Sequence, residues 1–94
     1  MQSNPLCEAN SDGIKVFDMG SQTFASGMNQ IVINTSDIAY NDIILSFYTN
    51  YPSGGVRYLH PSFSKSSGNW ILSVNNLSGA SQTANAYIVY KKMA

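Results

Sequence analysis

Hydrophobic and polar positions alternate with a period of two through the middle of the chain. In residues 42–48, Ile43, Leu45 and Phe47 fall on one face, and Asp42, Ile44, Ser46 and Tyr48 on the other. That is the pattern of a strand with one buried and one half-buried side. The segment is short and rich in β-branched and aromatic residues, which disfavours a helix. Its place near the middle of the chain predicts the central strand of a sheet. Residues 30–34 alternate in the same way. In residues 69–75, Trp70, Leu72 and Val74 share a face, so Trp70 is expected in the core. In residues 84–91, Ala86, Ile88 and Tyr90 lie on one face and Tyr87 and Val89 on the other. Apolar residues on both faces predict a central position or an oligomer contact.

Weaker alternation predicts short strands at residues 14–17, 22–25 with Phe24 inward, and 56–59. Turn chemistry separates them. Asp18-Met19-Gly20-Ser21 and Ser26-Gly27 read as turns, residues 38–41 as a corner, a single helical turn or the run-in to the next strand, and residues 64–68 and 77–83 as polar loops. Tyr51-Pro52-Ser53-Gly54-Gly55 reads as a loop whose glycines permit positive φ. His60-Pro61 reads as the end of a strand, since proline cannot donate to a ladder. The fold class expected is all-β: an antiparallel β-sandwich of about seven to eight short strands, jelly-roll or immunoglobulin-like. Residues 1–13 are polar and aperiodic and read as a flexible N-terminal arm, and residues 14–94 as one β domain.

Only 11% of the 94 residues are charged, against a usual ~25%. Ser, Asn, Thr, Gln and Gly take their place. Such a surface is cheap to desolvate and suits subunit contacts or sugars. Five basic residues balance five acidic ones, which argues against nucleic-acid binding. The single cysteine, Cys7, rules out an intrachain disulfide framework and reads as a free thiol in the arm, with a contact or crosslink to a partner as the alternative. No signal peptide, lipid-anchored cysteine or membrane-spanning run is expected.

No catalytic constellation is visible, and no cofactor or metal is expected. His60 is the only histidine, and Cys7 lacks the fixed geometry that a nucleophile needs. Glu8, Asp12, Asp18, Asp37 and Asp42 lie at strand edges or in the arm and read as solvated surface. Asp37 and Asp42 lack the ligand series of a calcium site. The candidate contact residues are Tyr48, Tyr51, Arg57, Tyr58 and His60, gathered in sequence around Gly54-Gly55. Aromatics beside neutral polar groups suit a glycan face, a subunit contact or a small core alike.

Certain residues carry a further resemblance. They are Ser26-Gly27, Ile33-Asn34-Thr35 with Ile38, Asp42-Ile43-Ile44-Leu45, Gly54-Gly55 before Tyr58-Leu59, Pro61-Ser62, Gly68-Asn69-Trp70-Ile71, and Ala84-Asn85-Ala86-Tyr87-Ile88-Val89. Over residues 20–92 this pattern resembles a small β domain that recurs in bacteriophage tail-fibre, tailspike and head-fibre or decoration proteins. The resemblance implies a non-enzymatic virion-surface component, homotrimeric, acting by self-association or host-surface contact. It implies other virion proteins as partners, met here through the N-terminal arm, and a host-surface glycan as a further one. The alternative expected from the tyrosines is a carbohydrate-binding β-sandwich module.

Overall fold

The computed structural model describes residues 13–50 and 54–93. The expected arm, with Cys7, Glu8 and Asp12, lies outside the described residues, as does Tyr51. Six strands follow in order: β1 (Ile14–Phe24), β2 (Gly27–Ile33), β3 (Ile43–Thr49), β4 (Leu59–Ser66), β5 (Asn69–Asn76) and β6 (Gln82–Lys91). A 3-10 helix, Gly54–Tyr58, precedes β4. The strands form two antiparallel three-stranded sheets, ordered β1-β6-β3 and β2-β5-β4. The chain is therefore all-β, with fewer strands than the alternation predicts.

One feature lowers the count, and a second displaces a strand along the chain. Asp18-Met19-Gly20 is a bulge and not a turn. The β1–β6 register slips between Asp18 and Gly20, Gly20 takes a φ of 75°, and its amide donates to Asp18 Oδ1 at 2.7 Å. An extra residue in one strand bends it without ending it, so two expected strands are one of 11 residues. The strand expected at residues 56–59 starts only at Leu59, because residues 54–58 form the 3-10 helix that buries Val56, and it continues as β4 to Ser66, into the expected polar loop of residues 64–68. Gly55 does not have positive φ. A Cβ there would displace the amide end of the Gln82 side chain.

The central strands are β5 and β6, not β3, which is an edge. The inward faces of β5 and β6 follow the expected alternation. Leu72 and Val74 are buried on one, and Ala84, Ala86, Ile88 and Tyr90 on the other. β3 departs from its period of two. Its register against β6 slips between Ile44 and Ser46. This bulge makes Ile44 and Phe47 the pair that packs on the core, while Ile43 and Leu45 are about half exposed. Pro61 lies within β4 and does not break it. β4 is an edge strand, where a missing N–H costs no ladder bond.

One buried cluster draws on both sheets: Phe24, Ala86, Ile88 and Tyr90 from the first, and Ile33, Leu72 and Val74 from the second. Phe47 meets Phe24 edge-on at 6.3 Å. Trp70 is half-buried at the border of this cluster, edge-on to Phe63 at 6.5 Å. Asparagines fix the ends of the strands. Buried Asn76 donates to Phe24 O (2.9 Å) and Ala80 O (2.8 Å) and accepts from the Ser78 amide (2.9 Å) and hydroxyl (2.7 Å). It falls in phase with Leu72 and Val74, so it points inward and must be satisfied there. Asn29 holds the β1–β2 corner by accepting from the Ala25 amide (3.0 Å) and donating to the Ala25 carbonyl (2.9 Å).

Candidate functional site

Of the expected contact residues, Tyr48 and Arg57 come together. β3 supplies Phe47, Tyr48 and Thr49, the 3-10 helix Val56 and Arg57, and β4 Leu59 and Pro61 to one cleft of about 120 Å³. Arg57 is positioned locally. Its Nε donates to Gly54 O at 2.9 Å, and its guanidinium lies 5.9 Å from the centre of the Tyr58 ring. Tyr58 is half exposed beside it. His60 does not join them. It pairs with Asn75 of β5, which alternates with buried Val74 and Asn76 and so faces outward on the other sheet.

Tyr48 has a partner outside the five expected contact residues. Its ring stacks on Tyr87 of β6, centroids 4.8 Å apart and planes inclined by 19°. The two residues are direct cross-strand partners, which explains the stack. The signal for Tyr87 was its place opposite Ile88 in the alternation of residues 84–91.

This stack sits on a larger apolar surface. Tyr87 and Val89 of β6 alternate with the buried residues and face outward. Their neighbours follow from the register: Val16 opposite Val89, Tyr48 opposite Tyr87, and Ile43 opposite Lys91. Leu45, unpaired at the bulge, adds to them. Val16, Ile43, Leu45 and Tyr48 are 54%, 45%, 50% and 46% exposed. Asp18 and Lys91 are the charged residues on these rows. The far end of the same face is polar, where the hydroxyls of Thr23 and Thr83 hydrogen-bond at 2.8 Å. The outer face of the second sheet is polar across its middle: Gln30, Ser73 and Ser62 form one row.

A second cleft, of about 190 Å³, lies beside Phe17, Met19 and Gln22 of β1 and Ile31 and Ile33 of β2. Both clefts are small beside the ~300–1,000 Å³ usual for enclosed ligand sites. They can take a side chain or a methyl-sized group, which favours contact through a surface over capture of a small molecule.

Asp42 overturns the expectation of a solvated carboxylate. It is 1% exposed. Its Oδ2 accepts from the Ala39 amide (2.8 Å) and Lys92 Nζ (3.0 Å), and its Oδ1 from the Met93 amide (3.0 Å). Lys92 Nζ also donates to Asp37 O at 3.1 Å. Burial by itself would push the carboxyl up. The Met93 and Ala39 amides and the Lys92 ammonium outweigh it and hold Asp42 below its usual range. The group ties the β2–β3 corner to the end of β6 and reads as structural. Asp18 and Asp37 are exposed, as expected. Among the described residues no three His, Cys, Asp or Glu side chains gather as metal ligands, and no helix is long and apolar enough to cross a membrane.

No family model, curated protein or solved structure matches this chain.

Proposed function

We propose that this domain is a non-enzymatic structural unit that works by self-association, with the outer face of the β1-β6-β3 sheet as its subunit contact. The observation that carries the reading is the apolar half of that face. Four large side chains there are about half exposed around Val89 and Tyr87. A contiguous apolar patch on one face of a sheet marks a contact with another surface. Neutral polar residues around it lower the cost of covering it. We read the two sheets as the layers of a β-sandwich, because one buried cluster draws on both. The virion surface as its setting, and a homotrimer as its assembly, rest on the resemblance to phage fibre and decoration domains.

Thiol footprinting tests the contact. In a Cys7→Ser background, Val16→Cys should label slowly in concentrated protein and faster on dilution. Ser62→Cys, exposed on the other sheet, should label fast throughout. Equal, fast labelling of both at every concentration would contradict the reading.

A second reading, glycan recognition, is favoured by the Tyr48–Tyr87 stack beside Arg57. A ring face and a fixed cation next to each other suit a sugar's apolar side and its hydroxyls. On a glycan array, Tyr48→Ala should abolish any signal this surface produces; an unchanged signal would exclude it.

A further inference from the structure

We propose that the free edge of β2 pairs antiparallel with the β2 edge of a second copy, about a twofold axis through Gln30. The described residues contain four edge strands, β1 and β3 in one sheet and β2 and β4 in the other. Exposed edges present unpaired N–H and C=O groups, and proteins block them with bulges, prolines and charges. Three of the four edges are blocked in this way. β1 carries Lys15 and the Met19 bulge, β3 carries the bulge at Leu45, and β4 carries Pro61 and Lys65. β2 has none of these. Its seven residues, Gly-Met-Asn-Gln-Ile-Val-Ile, pair with β5 in unbroken register and include no charge and no proline.

The sequence of β2 is also complementary to itself. Antiparallel pairing centred on Gln30 uses all seven residues. It sets Met28 of each copy against Val32 of the other, and Gln30 against Gln30. Met28 and Val32 face outward on their sheet, 63% and 55% exposed. Cross-strand pairing would cover both at once, and the two facing amides can hydrogen-bond to each other. No like charges meet. A twofold contact of this kind uses the same patch on both copies and closes on itself. β2 belongs to the sheet opposite the face proposed as the subunit contact, so the two contacts are independent.

The test uses full-length protein in a Cys7→Ser background. Residues directly opposite in an antiparallel pair have Cα atoms about 4.5–5.5 Å apart, within disulfide range. Gln30→Cys should therefore oxidise to a linked dimer about tenfold faster than Ser64→Cys on β4, since pairing raises the local thiol concentration. Mixing the Met28→Cys and Val32→Cys proteins should give the mixed dimer faster than either alone gives its own. Equal rates for Gln30→Cys and Ser64→Cys would overturn the proposal. That result is also the one expected if residues 1–12 of the same chain cover the edge. Faster homodimer formation by Met28→Cys would point to parallel pairing and overturn the register. Adding Leu45→Lys, which disrupts the other sheet's face, should leave the Gln30→Cys rate unchanged.

Discussion

Asp42 shows what one side chain does for the closure of this fold. A buried carboxylate is costly unless it is paired and hydrogen-bonded, and here two amides and one ammonium meet it. Asp42→Asn keeps the shape and removes the charge. The variant should lose about 3 kcal/mol of unfolding free energy near neutral pH, the low end for breaking a buried pair because Lys92 keeps some access to water. The loss should depend on pH. The folded carboxyl titrates below its usual value, while the unfolded one titrates near ~3.9. The stabilisation is thus complete above the unfolded value and disappears as pH falls through the folded one. Urea unfolding of wild type and Asp42→Asn at neutral pH and again at about pH 2.5 should show the gap closing. A gap that stays constant would mean the carboxylate's charge is not what holds the β2–β3 corner to β6. The burial of Asp42 was not legible in the sequence, which reads it as solvated surface: the partners that bury it, Lys92 and Met93, are distant in sequence and only the sheet brings them near.

Among the elements, the alternation located strands well and edges poorly. The strands at residues 30–34, 69–75 and 84–91 stand where the apolar residues recur, since nothing interrupts their period. β1 and β3 each contain a bulge. A bulge inverts the phase of the residues beyond it, so Ile44 and Phe47, which the alternation sets on opposite faces, both pack on the core. Edge or central position depends on long-range pairing, and the local pattern of residues 42–48 does not encode it. The β4–β5 hairpin is more predictable. Its two-residue turn places both Ser67 (φ 52°) and Gly68 (φ 82°) in the left-handed region, as a primed turn requires. Gly68→Ala should therefore cost about 1–2 kcal/mol. Ser67→Asn, which supplies the preferred residue before glycine, should raise stability by about 0.5 kcal/mol. Thermal unfolding of the two variants should show opposite shifts. A stable Gly68→Ala protein would mean that the turn adopts another geometry in solution.

For the molecule as a whole, the small core and the uncovered apolar face belong to one problem. A chain of this length buries only about 60% of its unfolded surface alone, and association adds stability by mass action. The candidate residues were partly legible for the same reason. The aromatic cluster flagged Tyr48, Tyr58 and the Arg57 among them; Tyr48 and Arg57 line one cleft, and Tyr58 lies beside Arg57. It also flagged His60, which the β4 alternation turns to the opposite sheet. The second apolar face of residues 84–91 flagged Val89 as a possible oligomer contact, but Val16, Ile43 and Leu45 were not flagged, because apolar residues on separate strands form a patch only after β6 aligns β1 with β3. The most direct measurement is the mass of the purified protein by light scattering after size exclusion, for wild type and Leu45→Lys together. Wild type should be an oligomer, and Leu45→Lys a smaller species with an unchanged circular dichroism spectrum. A wild-type monomer that persists at high concentration, or a Leu45→Lys protein of unchanged mass, would rule out self-association through this face.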